Sequence, residues 1–313
     1  MLLENLVFFL AASIVLVKAA SFAVKYVLLI AEYLHITEFI ASFIVVGFIS
    51  TAPELLIGIN ASLSGNPSLG LATIIGSNVI DLTIVIGLIA FIGKSIEVKE
   101  RATRDNMLFV LVTALPILLM LDSELSRIDG LILVGVCFAY LLEMVKAEKK
   151  FREQGIIEHP NVARNLVFFV VSMAVLFLAS RFVVHYGLLI SNDLSIPLVF
   201  TGLFLIAFGT CLPELTFSLK AIMAKHKESG LGNIMGCVAI DATFTIGMIA
   251  LISPIRHDLV LFISGSLFMI FAALIISTFI ESGKKITRAE SLALFALYGL
   301  FVVMQLLLNK VIA

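Results

Sequence analysis

Residues 47–55 read Gly-Phe-Ile-Ser-Thr-Ala-Pro-Glu-Leu, and residues 207–215 read Ala-Phe-Gly-Thr-Cys-Leu-Pro-Glu-Leu. The two stretches lie 160 residues apart, and each sets a proline directly before a glutamate inside an apolar run. Held at that offset without a gap, the alignment extends in both directions. Residues 5–9 and 165–169 both read NLVFF, Gly70-Leu71 falls on Gly230-Leu231, Gly76 on Gly236, Asp81 on Asp241 and Gly87 on Gly247. The chain is therefore read as a duplication, with a first copy at 1–145, a polar linker at 146–163 and a second copy at 164–313.

Composition fixes the solvent. Of 313 residues, 61% are hydrophobic and only 14% charged, against about 25% charged in a typical soluble domain. Mean hydropathy is +1.14. This excludes a soluble enzyme, a nucleic-acid binder and a disordered chain. With 21 Lys and Arg against 22 Asp and Glu, net charge points to no partner. The three cysteines sit in apolar context without metal-ligand spacing.

A helix needs about 20 apolar residues to span a bilayer. Ten such segments are expected, near 4–31, 37–62, 69–93, 106–121, 128–145, 164–191, 196–223, 230–252, 258–280 and 289–309. The fold class is an all-α membrane protein of ten transmembrane helices. Five per copy is odd, so the second copy enters the membrane inverted, an architecture common among secondary transporters. Fourteen Lys and Arg fall in 94–104, 146–164, 225–227 and 284–288, against Arg127, Arg256 and Lys310 in the alternate loops. By the positive-inside bias, linker 146–163 is cytoplasmic and both termini are extracellular.

An ionisable side chain at membrane depth is a functional candidate by default. Four acids qualify: Glu54, Asp81, Glu214 and Asp241. Pro53 and Pro213 offer no N–H, which leaves the carbonyls of Ile49 and Gly209 free to meet a cation. Ser50 shares a helix face with Glu54, and Ser77 shares one with Asp81, both at a spacing of four. Carboxylates, hydroxyls and carbonyls are hard donors suited to Ca2+, Na+, Mg2+ or Mn2+ rather than zinc or copper. Four acids around one dry cavity cannot all be charged and unpaired, so protons or cations must fill the site before it crosses.

These segments resemble the paired repeats of the calcium/cation antiporter superfamily, and its sodium/calcium exchanger branch most of all. The resemblance is carried by Ser50-Thr51-Ala-Pro53-Glu54 with Gly76-Ser77-Asn78, and by Gly209-Thr210-Cys211-Leu-Pro213-Glu214 with Gly236-Cys237. It implies a central calcium site on Glu54 and Glu214. It implies sodium sites beside it that use Ser50, Thr51, Ser77 and backbone oxygens at Gly47 and Ala207; Thr210, Asp81 and Asp241 join them as candidate ligands on the residues alone. Cys211 and Cys237 depart from the family's hydroxyl residues, and both lie in the second copy, so one of two symmetry-related sodium sites is expected to lose two hydroxyls. Asp81 stands where many members have Asn.

The expected activity is Ca2+/Na+ antiport, with Ca2+/H+ antiport as the alternative and a cation channel as a weaker one. No nucleophile–base pair, His-rich metal set or phosphate-binding glycine loop points to an enzyme or a primary pump. No cofactor is called for. The expected partners are Ca2+, Na+, H+ as the counter-ion of the alternative, and the lipid bilayer, with no nucleic acid and no obligate protein partner.

Overall fold

The computed structural model describes residues 2–33, 46–97, 106–148, 161–223, 227–256 and 259–312. Helix α1 (Leu2–Tyr33) is followed by α2 (Gly47–Ser50), α3 (Ala52–Leu63) and α4 (Pro67–Ile80). A π-helical turn, Asp81–Val85, joins α4 to α5 (Ile86–Ile92), after which come β1 (Ser95–Glu97), α6 (Asn106–Leu119), β2 (Glu124–Leu125) and α7 (Arg127–Glu148). The chain continues through α8 (Val162–Leu194), α9 (Leu198–Phe200), a second π turn (Thr201–Ile206), α10 (Ala207–Thr210), α11 (Leu212–Met223) and α12 (Lys227–Ile240). A third π turn (Asp241–Thr245) leads to α13 (Ile246–Ile252), β3 (Ile255–Arg256), α14 (Leu259–Gly283), β4 (Lys285–Thr287) and α15 (Arg288–Ile312).

Local chemistry sets these boundaries. Helices α2 and α3 are parted at Thr51 (φ −77°, ψ −3°), and α10 and α11 at Cys211 (φ −73°, ψ −7°). Each break stands two residues before a proline that has no N–H to continue the ladder. Pro67 opens α4, where its fixed φ costs nothing. Helix α7 starts on a reciprocal cap: Ser126 N and Oγ donate to Asp129 Oδ2 at 2.8 and 2.6 Å, and Asp129 N donates to Ser126 Oγ at 3.3 Å. Thr287 and Glu290 make the same cap on α15.

Among the described residues, seven helices are long and apolar enough to cross a membrane. The expected segment at 37–62 lies partly outside the described residues. That at 106–121 falls on α6, which contains Pro116 and whose preceding residues 98–105 lie outside the described ones. That at 128–145 falls within α7. The helices sort into two layers. Segments 67–92 and 230–252 are 83% buried over their apolar windows, whereas α1 and α8 are 33% buried. Helices α1 and α8 pack on each other along their length, and α8 also lies on α3. Against the inner segments, α5 packs on α15 and α13 on α7, while α14 packs on α6 and α4.

Two short antiparallel ribbons tie distant loops together. In one, Ser95, Ile96 and Glu97 oppose Thr287, Ile286 and Lys285. In the other, Glu124 and Leu125 oppose Arg256 and Ile255, and Arg256 Nη2 meets Glu124 Oε1 at 2.9 Å. Ile96, Ile286, Leu125 and Ile255 are each fully buried at the ribbon centres.

The offset of 160 holds for element boundaries from α2 to α5 against α10 to α13, including the π turns that begin at Asp81 and Asp241. It does not hold to the end of the chain. The caps match Ser126 to Thr287 and Asp129 to Glu290, a shift of 161, and the ribbons match Ile96 to Ile255, a shift of 159. A turn carrying Lys94 at positive φ in one copy, and Ser253-Pro254 in the other, absorbs the difference. The packing of Gly87 on Phe295 and of Gly247 on Val134 keeps the same shift of 161 between partners.

Candidate ion-binding site

Glu54 and Glu214 stand in the first turns of α3 and α11, immediately after the breaks at Thr51 and Cys211. Asp81 and Asp241 each begin a π turn. Such a turn inserts one residue into the helical ladder and rotates the side chain relative to the preceding face, and it recurs at functional sites. All four acids are 1% exposed. Each of the four acts electrostatically on every other, so the structure gathers them around one region. Each also keeps one carboxyl oxygen buried without a hydrogen-bond partner: Glu54 Oε2, Asp81 Oδ1, Glu214 Oε2 and Asp241 Oδ1. Among the described residues no Lys or Arg forms an ion pair with any of them.

Burying even one unpaired polar oxygen costs on the order of 1–3 kcal/mol. Four orphaned carboxyl oxygens in one place are far from the usual satisfaction of buried polar groups. The acids are within electrostatic reach but not drawn onto one point: among the described residues, no three His, Cys, Asp or Glu side chains stand in metal-holding geometry.

The remaining candidate ligands are placed as follows. Ser50, Thr51, Ser77 and Thr210 are all buried. Thr210 bears on the Glu54 carboxyl and donates to Ala207 O at 3.1 Å. Thr51 donates to Phe48 O at 3.2 Å and Ser77 to Ile74 O at 3.0 Å. The Gly47 carbonyl accepts the amide of Thr51 at 3.0 Å, and the Ala207 carbonyl accepts both the amide of Cys211 at 3.2 Å and the Thr210 hydroxyl. Close approach of the backbones at Gly76 is real: a Cβ there would stand 2.2 Å from Leu203 O, in the π turn 201–206.

The two thiols part company. Cys237 Sγ is 2.8 Å from Ser50 Oγ and 3.9 Å from Gly47 O, whereas Cys211 Sγ donates to Ser77 O at 3.4 Å and lies beside Asp81. The two thiols, expected at one lateral site, thus stand against different residues of the first copy. Each thiol faces the first copy at a different place, since α12 packs on α2 and α10 packs on α4.

One residue absent from the sequence-based set lies in the same cluster. Asn233 on α12 is fully buried, its Oδ1 stands 3.5 Å from Ser50 Oγ and 3.7 Å from Cys237 Sγ, and its Nδ2 has no partner. An amide inside the apolar 230–252 run, one turn before Cys237, was a signal of the same kind as the acids. Asn78 likewise keeps Oδ1 unpartnered while its Nδ2 points to Met269 Sδ at 3.4 Å.

Apolar helices of membrane-spanning length, helices broken at prolines, and a buried carboxyl cluster with no basic partner define an integral, multi-pass membrane transporter. The chain belongs to the sodium/calcium exchanger protein family, which it matches over residues 4–146 and 164–307. That family consists of transporters, and this chain is one of them rather than an enzyme. It is 28% identical over 257 residues to a putative antiporter, CaxA, of Alkalimonas amylolytica, covering 79% of this chain and 81% of that protein. It is 23% identical to the sodium/calcium exchanger MaX1 of Methanosarcina acetivorans, covering 97% of this chain and 99% of that protein. Its fold is similar to that of the sodium-calcium exchanger NCX_Mj, with a TM-score of 0.73 at 23% identity over 97% of this chain and 99% of that one.

Proposed function

We propose that the chain is a secondary antiporter that exchanges Ca2+ for Na+ by alternating access. The observation that carries this reading is the set of four buried carboxyl oxygens, two from each copy, that have neither a hydrogen bond nor a basic partner. Ca2+ is held between Glu54 and Glu214, with Asp81 and Asp241 alongside. Sodium takes the hydroxyls of Ser50, Thr51, Ser77 and Thr210 and the carbonyl oxygens of Gly47 and Ala207. Neutralising four acids in a dry cavity takes about four positive charges from ions and protons together. An empty site therefore stays on its own side, and a loaded one crosses, which is what obligatory exchange requires. The relatives named as exchangers and as a putative antiporter support the same class.

The chain is read as ten spans, five in 1–145 and five inverted in 164–313, with 146–163 cytoplasmic and both termini outside. This is supported by the recurrence of the broken helices and π turns, and by the ribbons. Each ribbon joins two loops that the Lys and Arg count puts on one side of the membrane. Helices α1 and α8, little buried and packed on each other, are the elements that slide, while 47–92 and 207–252 stay rigid around the ions.

A second reading, Ca2+/H+ exchange, is favoured by one feature: Asp81 and Asp241 add two acids with orphaned oxygens to the glutamate pair. Uptake of radioactive calcium into proteoliposomes separates the two. Uptake driven by an outward Na+ gradient at equal pH supports the first reading. Uptake driven only by a pH gradient overturns it in favour of the second, and uptake without any counter-gradient that runs at channel rates overturns both.

A further inference from the structure

We propose that Asn233 is a cation ligand, and that with Ser50 Oγ and Gly47 O it forms a seat for a monovalent ion of calcium-like radius, Na+ in the reading above, on which this inference rests. The distances carry the argument. Ser50 Oγ stands 3.4 Å from Gly47 O and 3.5 Å from Asn233 Oδ1. Both exceed the roughly 2.5–3.0 Å of an O–H···O hydrogen bond. They match the separation of two oxygens that bind one ion at right angles. For an ion held at about 2.3–2.6 Å, as Ca2+ is, that separation is about 3.3–3.7 Å; for Mg2+ at about 2.0–2.1 Å it is about 2.8–3.0 Å. Na+ shares the larger radius. The three donors are neutral, so a divalent ion gains more at the carboxyls than here.

Asn233 is held by its oxygen end alone. Its Nδ2 is buried and unpartnered, while Oδ1 faces Ser50 and Cys237. A buried amide whose N–H groups are left unused is present for its carbonyl. Its position explains why: Asn233 precedes Cys237 by one helical turn on the same face. A thiol is a poor donor to a hard ion, and the amide sets a hard oxygen beside it. The counterpart cluster lacks the amide. Thr73, which occupies the position of Asn233 in the first copy, donates to Leu69 O at 2.8 Å, and Ser77, in the position of Cys237, donates to Ile74 O at 3.0 Å. Each hydroxyl keeps lone pairs for a cation, but no amide oxygen stands there.

The test uses purified full-length protein and equilibrium binding of radioactive sodium, alongside Ca2+/Ca2+ exchange in Na+-free proteoliposomes. Asn233→Leu removes the oxygen at similar volume. It should raise the half-saturating Na+ concentration at least about tenfold, the usual scale for losing a group that tunes a metal site, and leave half-saturation for Ca2+ within about twofold. Asn233→Asp keeps an oxygen in place and adds charge, so it should bind Na+ more tightly than wild type; it decides the matter if the Leu variant fails to fold. Unchanged Na+ binding in either folded variant overturns the seat, as does a wild-type protein that binds no Na+. A wild type that binds Na+ in an Asn233-dependent way but does not exchange it for Ca2+ overturns the proposed function and leaves the seat standing.

Discussion

At the residue scale, the site is a balance between desolvation and what fills it. Glu54→Gln and Glu214→Gln each delete a charge while preserving shape. Each should reduce calcium exchange by more than about a hundredfold, since a carboxylate ligand to a divalent ion is lost, while the protein still extracts as a folded monodisperse species. Near-normal flux in either variant would sink the central-site assignment. The thiols make a sharper point. Because Cys237 meets Ser50 and Cys211 meets Ser77, Cys237→Ser and Cys211→Ser should change Na+ dependence independently, and the double variant should show the product of the two fold-changes. Groups without shared partners combine additively in free energy. A strong departure from that product would mean that the two thiols act on one ion after all. Asp81 tests the counter-ion: Asp81→Asn removes a group able to carry a proton, so the pH profile of Ca2+ uptake should flatten. An unchanged profile would assign Asp81 to packing.

At the element scale, the breaks and π turns explain how membrane helices come to carry so many polar groups at depth. Pro53 and Pro213 interrupt the ladder where the glutamates begin, and Asp81 and Asp241 sit at the first residue of a turn that widens the helix. Gly76 lets α4 close onto the π turn 201–206. Gly76→Ala would place a methyl 2.2 Å from Leu203 O. Neither backbone can yield as a side chain can, so the substitution should cost at least about 1–3 kcal/mol, read as a clear drop in melting temperature in detergent. An unaltered melting temperature would show that the two segments part readily. The prolines and acids were visible in the sequence because they are single-residue chemistry. The π turns were not, since neither Asp-Leu-Thr-Ile-Val at 81–85 nor Asp-Ala-Thr-Phe-Thr at 241–245 breaks helical propensity. An extra residue in the turn is stabilised only by the neighbours it packs on.

At the scale of the whole molecule, the ribbons fix which loops share a side. Ser95 and Thr287 are directly opposed across β1 and β4, and opposed Cα atoms in an antiparallel pair lie about 4.5–5.5 Å apart, inside the reach of a disulfide. The native cysteines are all buried. Ser95→Cys with Thr287→Cys should therefore crosslink under mild oxidant in intact membranes, and each single variant should react with an impermeant thiol reagent from the same side. Labelling from opposite sides would contradict the inverted ten-span reading. Loading with ions offers a second check at this scale: reporter cysteines on α1 and α8 should change accessibility between Na+ and Ca2+, while positions on α4 and α12 should not. The opposite pattern would put the moving parts elsewhere.

The amino-acid sequence by itself determined the solvent, the duplication, the four acids and the family resemblance. Each of these is local or additive: hydropathy sums along the chain, and Pro-Glu repeats at a fixed spacing. Only the tertiary structure decided which groups from the two copies meet. Cys237 stands against Ser50, Asn233 joins that cluster, and the repeat slips to 159 at β3 and to 161 in α15. These depend on how helices distant in sequence cross. In a membrane interior, contacts between helices come from close backbone approach and shared polar groups rather than from a hydrophobic face, and hydropathy carries no record of them.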